Sequence, residues 1–548
     1  MYRVAHLPQR LFSRLVHSDI YDLLALAAFA ALAVLVLLTF QDYAISNDEI
    51  VQHRYGELIL TYYASGLTDE TVFHFDNLYL YGGLFDVIAI LFERMLPFDL
   101  YNIRHFLCAI TGIGGIVATW ATARLIAGPR AGLLALIALA VCGSWYGTMF
   151  NHTKDIPFAA AMMGASYFLL RGARDLPRPR WFDILMFGVL VGCALGMRAT
   201  GLLMLGYAGI VVLVRLPALA SWSERARFAG TSLLHALPAF LLAYAIMIAA
   251  WPWASLELLN PVYAIFAFAH FHYQIHTIAF GQIYEMWEVP RWYIPAYIAI
   301  KLPLTVLAGA FIGMFAAVLS ARNNSLLRGE RQREIFFVAF MAVFPVLCHV
   351  IAKGPAFTGM RHFIFVVPPL AALAGIGFDA LLTRFESRSR LLGASALAVL
   401  AAAFVANAVT LARLHPHENL FFNPLVSGLE GASGRFDLDY WSNMMPEAVA
   451  GLEDFIAKRE RNVASPPRSY TVGICAERES FEKETKGNPR LVWVDEWEDA
   501  DFFISTTQMD CDKRMNGETI ATVERFGVPI GVVKDRRAIV RAAVSRNP

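Results

Sequence analysis

The sequence predicts a polytopic α-helical membrane protein that carries a small α/β domain at its C-terminal end. Three observations predict it. Of 548 residues, 57% are hydrophobic and only 17% charged, with a mean hydropathy of +0.49, which does not describe soluble domains. The apolar residues are gathered into runs near the ~20 residues that a helical crossing needs. After about residue 413 the character changes, and residues 414–548 hold 17 Lys and Arg and 22 Asp and Glu. Charge is nearly balanced overall, 46 Lys and Arg against 45 Asp and Glu. A basic excess for nucleic acid and an acidic solvating tail are both excluded.

Eleven runs read as crossings: 21–40, 101–126, 131–149, 156–170, 181–197, 199–215, 231–251, 293–319, 335–352, 363–382 and 391–412. The first is too long for the apolar core of a cleavable signal, and no small-residue cleavage site follows Phe40, so it stays as a helix. Segment 79–97 is rejected because Asp86, Glu93 and Arg94 interrupt it, and a charge at bilayer depth costs roughly 2.5–3.5 kcal/mol. One set of short loops, from Arg3, Arg10 and Arg14 through Arg322 and Arg328 to Arg390, holds 19 arginines. The opposite set holds eight Lys and Arg. The asymmetry predicts a cytoplasmic N-terminus and an outer C-terminus. Residues 1–413 form the membrane domain, with long outer loops at 41–100 and 252–292, and 414–548 the soluble outer domain. In the latter, Ser469–Cys475, Leu491–Val494, Phe502–Ser505 and Val528–Val533 read as strands behind a helix near Pro446–Arg461. Its two cysteines, Cys475 and Cys511, are expected to form a disulfide in an oxidising compartment.

The outer loops hold the candidate chemistry. Ser46-Asn47-Asp48-Glu49 is a capping box. It opens a helix whose apolar face is Val51, Tyr55, Leu58, Ile59, Tyr62 and Tyr63, opposite Gln52, Arg54, Glu57 and Thr61, a pattern suited to the membrane surface. His53 lies on the same helix. Acids in a first turn ordinarily satisfy free N–H groups, but a second acid, Asp155, with Lys154 beside it, stands in another short outer loop. Lys353, Arg361 and His362 open the tenth run, and Arg198 closes the fifth. Arginine at a boundary snorkels to headgroups, or binds phosphate in bidentate fashion. His270, His272 and His276 lack the further ligand that a tetrahedral metal site requires. No glycine-rich nucleotide loop sits at a strand–helix junction.

Taken in order, Ser46–Glu49, Asn151–Pro157, Gly281 with Val289–Pro295, Arg361-His362 leading to Pro368-Pro369, and Phe436–Trp441 resemble the GT-C membrane glycosyltransferases. The resemblance is to the bacterial family-39-like branch related to protein O-mannosyltransferases and to the lipid A aminoarabinose transferase, and it covers most of the chain. It implies a GT-C-like membrane domain in a bacterial inner membrane, with the C-terminal domain in the periplasm. It implies inverting transfer of a sugar from a polyprenyl-phosphate donor to an acceptor hydroxyl at the outer face. Asp48 would be the general base, Glu49 and Asp155 would orient base or acceptor, and Arg361, His362, Arg198 and Lys353 would hold the phosphate, with Lys154 and His53 as further candidates. Donor, membrane lipids and a glycan, lipid or protein acceptor are the implied partners. The acceptor-determining regions are unlike those of the two best-known relatives, so neither acceptor carries over. No cofactor or metal is expected, although distant members of the fold use a divalent ion. The alternative, a transporter or flippase of an anionic lipid or lipid-linked sugar, would place ionisable residues at mid-membrane, whereas here they collect at the edges.

Overall fold

A computed structural model of the protein describes residues 19–270, 273–321, 329–461 and 469–544. The expectations that involve Arg3, Arg10, Arg14, Arg322, Arg328 and His272 lie outside the described residues.

The chain is a multi-pass helical membrane protein with a C-terminal α/β domain. In order, the helices of the membrane part are α1 (Ile20–Thr39), α2 (Asn47–Ala64), α3 (Leu84–Glu93), α4 (Leu100–Ala127), α5 (Pro129–Ala140), α6 (Asp155–Ala173) and α7 (Trp181–Leu195). They continue as α8 (Ala199–Ala218), α9 (Trp222–Ala250), α10 (Asn260–Ala269), α11 (Tyr293–Lys301), α12 (Leu304–Ala321), α13 (Glu330–Ala352), α14 (Arg361–Glu386) and α15 (Arg390–Leu414). Each of the eleven expected crossings is helical over at least part of its length, but they differ in how far. Among the described residues seven helices, α1, α4, α8, α9, α13, α14 and α15, are long and apolar enough to cross alone. Run 293–319 is instead a pair, α11 and α12, bent by 111° at Pro303, which cannot continue a helix. Run 131–149 is helical over the 12 residues of α5 and a further single turn, Gly143–Tyr146, and α5 alone rises about 18 Å against a ~30 Å hydrocarbon core. The stretch after that turn, residues 147–151, is buried in protein, which is where non-helical backbone is tolerated at membrane depth. Helix α7 is likewise short, at 15 residues.

Helix α14 is the centre of the bundle, lined with Ala and Gly so that its neighbours approach closely. A Cβ on Gly377 would lie 2.2 Å from the Gly309 carbonyl of α12, and one on Gly375 would lie 2.4 Å from the Ala131 carbonyl of α5. At the end of the bundle away from the C-terminal domain, arginines pair with acids: Arg124 with Asp22 at 2.7 Å, Arg130 with Asp379 at 2.8 Å and Arg174 with Glu334 at 2.7 Å.

At the other end, the loop 252–292 folds into α10 and a hairpin, β1 (His276–Ala279) paired antiparallel with β2 (Gln282–Glu285). Residues 415–444 run across these ends, where Gly143 and Gly147 leave room for the Glu418–Asn419 backbone. The C-terminal domain follows, with α16 (Met445–Glu460), β3 (Tyr470–Cys475), α17 (Arg478–Thr485), β4 (Leu491–Trp493), β5 (Phe502–Thr506), β6 (Glu518–Arg525) and β7 (Val528–Asp535). Its sheet runs β4-β3-β5-β7-β6, with β4, β3 and β5 parallel and the last two pairings antiparallel. Strand β6 was not anticipated, because this edge strand buries only Val523 and lacks a strand's usual apolar alternation. Cys475 and Cys511 form the expected disulfide, with Cα atoms 6.2 Å apart.

Candidate active site

Helix α2 begins with Glu49 accepting the Ser46 N–H at 2.8 Å, while Ser46 Oγ donates to the Asn151 carbonyl at 3.1 Å. The cap thus ties the first outer loop to the loop that carries Lys154 and Asp155. Arg198 is set by a third attachment. The N–H groups of Gly82, Gly83 and Leu84 bond to Met197, Ala250 and Gly196 at 3.0–3.3 Å, and a Cβ on Gly82 would lie 2.1 Å from the Gly196 carbonyl, so only glycine fits.

These attachments bring five of the expected residues together. Arg361 donates through Nε to Asp155 Oδ2 at 3.0 Å and through Nη2 to Asp48 Oδ2. Arg198 Nη2 donates to the other Asp155 oxygen, and Lys154 Nζ lies 2.9 Å from Asp48 Oδ2. Two acids and three cations therefore form one chain of ion pairs, Lys154–Asp48–Arg361–Asp155–Arg198. Aromatic faces cover its cations. Trp441 lies 4.3 Å from the Arg361 guanidinium, and Tyr81 lies 4.7 Å from Lys154 Nζ, the arrangement of cation–π pairs. Burial pushes the Asp48 carboxyl up, but Arg361 and Lys154 outweigh it and hold the group at about 2. Burial lowers the His152 imidazole to about 3, so it is neutral. Its Nε2 accepts from Trp441 Nε1, which leaves the proton on Nδ1, 3.8 Å from Asp155 Oδ2.

The other expected residues lie elsewhere. Glu49, next to Asp48, points about 100° away around the helix and is fully buried. Its carboxylate lies 3.2 Å from His105 Nε2 and 3.9 Å from Arg104. Arg104 in turn donates to Asp86 at 2.7 Å and to Thr153 at 3.3 Å. Gln52, expected on the wet face, is buried and accepts from Thr153 at 2.8 Å, because α2 is covered by α4 and the 147–154 loop rather than lying free. Lys353 is an exposed helix C-cap, and His53 faces Glu57 at 3.7 Å, so neither joins the ion-pair chain. Among the described residues no group of three or more His, Cys, Asp and Glu is placed to hold a metal.

Two spaces adjoin the chain of ion pairs. One is a cavity of about 650 Å³ inside the bundle, walled by Leu203, Ile210, Phe340, Phe344 and Phe365 and closed at one end by Arg198 and His362. The other, of about 20 Å³, is walled by Arg361, Lys301, Asp437, Tyr440 and Asn419, room for one water. Lys301 and Asp437 received no role from sequence. Asp437 accepts from the Ile278 N–H at 3.1 Å, from Gln508 at 2.6 Å and from Thr277. Lys301 is hidden by its apolar run, while Asp437 is visible as one of the two acids of Phe436–Trp441.

Residues 88–253 match the family model described as dolichyl-phosphate-mannose-protein mannosyltransferase. The membrane part therefore carries a glycosyltransferase sequence pattern, in agreement with the resemblance drawn from the motifs, and the match takes in Lys154, Asp155 and Arg198. No curated protein matches the chain. Among solved structures, ArnT from Cupriavidus metallidurans bound to undecaprenyl phosphate is 15% identical with a TM-score of 0.46, over 93% of this chain and 97% of that one. The archaeal oligosaccharyltransferase AglB from Archaeoglobus fulgidus, in complex with an inhibitory peptide and a dolichol-phosphate, is 12% identical with a TM-score of 0.47, over 89% and 70%.

Proposed function

We propose that the protein transfers a glycosyl group from a polyprenyl-phosphate carrier to an acceptor hydroxyl at the outer face of a bacterial inner membrane. The single observation that carries the proposal is the junction of an apolar cavity of about 650 Å³ with a chain of cations and carboxylates. The cavity suits an isoprenoid tail and Arg198 and Arg361 suit its phosphate, since guanidinium binds phosphate oxygens in pairs. The acceptor hydroxyl gives its proton to Asp48 while its oxygen bonds to the anomeric carbon. The bond from that carbon to the carrier phosphate breaks, its electrons pass to the phosphate oxygen, and the configuration inverts. Arg361 and Arg198 hold the charge that develops on the leaving group.

At about 2, the Asp48 carboxylate is a weak base. A phosphate on Arg361 shares the cation that depresses it, so donor binding raises its basicity toward what proton abstraction needs. Arg361 therefore serves twice, as phosphate ligand and as the group that releases the base.

Undecaprenyl phosphate titrated into the protein in lipid nanodiscs tests the reading. A charge-assisted bond is worth roughly 1.5–3 kcal/mol, so Arg361→Ala should weaken binding by about 10- to 150-fold. Unchanged affinity in a folded variant removes Arg361 from the donor site and the transfer reading with it.

A further inference from the structure

A second cleft of about 340 Å³ opens between the hairpin β1–β2, residues 433–438 and the C-terminal domain loop that follows β5. Its size falls in the range of small-ligand sites, and its wall is mixed. Gln508, Asp512 and Lys513 supply polar groups, while Ile278 and Ile283 supply apolar ones. An anion or lipid site would be one-sided, whereas sugar rings present hydroxyls around their edge and C–H groups on their faces.

Three features set this cleft apart from a chance gap. Residues 436–438 are a shared wall, with Phe436 and Leu438 facing the cleft and Asp437 facing the small space beside Arg361. Gln508 lines the cleft and bonds through it, donating to Asp437 Oδ1 at 2.6 Å and accepting from the Leu438 N–H at 2.9 Å. The two residues after Gln508, Met509 and Asp510, have φ of +52° and +55°, a left-handed conformation that non-glycine residues hold only when their surroundings enforce it. The disulfide from Cys511 to Cys475 pins the loop there.

We infer that this cleft binds a short glycan and presents it to the Asp48–Arg361 centre, which makes the acceptor a saccharide. The inference rests on the glycosyl-transfer reading for its role, but not for the binding itself. The glycan's hydroxyls would meet Gln508 and Asp512 while a ring face lies toward the exposed Ile283 side chain.

Saturation-transfer NMR of the full-length protein in nanodiscs, with maltotriose, mannotriose, chitotriose and a Ser/Thr-containing hexapeptide as probes, tests it. At least one trisaccharide should bind. Ser433→Trp, which fills the cleft from its exposed rim, should reduce that signal at least fivefold, and Ser433→Ala should leave it intact. Neither change should alter undecaprenyl phosphate binding. No trisaccharide signal at millimolar concentration, or a signal indifferent to Ser433→Trp, overturns the inference. A peptide signal that Ser433→Trp removes, with none from the sugars, overturns it in favour of a protein acceptor. Trisaccharide binding alongside an Arg361→Ala variant of unchanged lipid-phosphate affinity leaves a glycan cleft standing and rejects transfer.

Discussion

Asp48 is held by two cations, and this gives one substitution three separable consequences. Its carboxyl lies at about 2 against an ordinary 3.8. The ionised form therefore favours the folded state at pH values above about 4, and that favour is lost as pH falls through about 2. The difference corresponds to about 2 kcal/mol, so Asp48→Asn should destabilise the protein by that amount at neutral pH. Chemical denaturation should show the gap closing near pH 2. Transfer should fall by about 10²–10⁴-fold, the usual effect of losing a general base. Binding of undecaprenyl phosphate should move the other way, tightening several-fold, because Arg361 loses a competing anion worth on the order of 1 kcal/mol. Weakened phosphate binding in this variant would make Asp48 a ligand of the donor instead of its base. The convergence of Asp48, Asp155, Arg198 and Arg361 was legible because each is a charge at the end of an apolar run. The opposite fates of Asp48 and Glu49 were not. Adjacent helical residues point in different directions, and only the position of Arg104 and His105 on α4 decides which acid turns inward.

The elements that build the site are joined by backbone, and glycine makes the join possible. At Gly82 the loop after α2 meets the end of α7 so closely that any side chain displaces the Gly196 carbonyl, two residues before Arg198. Gly82→Leu should therefore cost about 1–3 kcal/mol, as overpacking does, and shift Arg198 away from Asp155. Melting temperature and undecaprenyl phosphate affinity should fall together. A loss of stability with affinity intact would show that Arg198 keeps its place without this contact. The sequence marks Gly82-Gly83 only as a loop signal, because what approaches a glycine is set by distant chain. The same limit explains runs 131–149 and 293–319. Both are apolar enough to cross, and composition cannot show that protein, not lipid, surrounds their breaks. Strand β6 fails for the reverse reason, since an edge strand with one buried residue has no apolar pattern to read.

At the scale of the molecule, function depends on which end of the bundle faces outward, and the two ends differ in kind. The end away from the C-terminal domain holds Arg124, Arg130 and Arg174, each paired with an acid. The other holds the ion-pair chain, the hairpin and the C-terminal domain. The arginine bias of the short loops predicts that the first end faces the cytoplasm. A test of this does not depend on how many helices cross. Helix α14 spans 26 residues from Arg361 to Glu386, about 39 Å of rise, so Ser387 lies at the opposite end from the site. Between Ser387 and the C-terminal domain there is one long apolar helix, α15, of 25 residues, and it must return the chain across the bilayer. A phosphatase active only in an oxidising compartment should therefore work when fused after the C-terminal domain and fail at Ser387, with a fluorescent protein that matures only in the cytoplasm giving the reverse. Activity of the phosphatase at Ser387 and not at the C-terminus would invert the molecule. Asp48, Arg361 and the glycan cleft would then face the cytoplasm, where a disulfide between Cys475 and Cys511 does not persist.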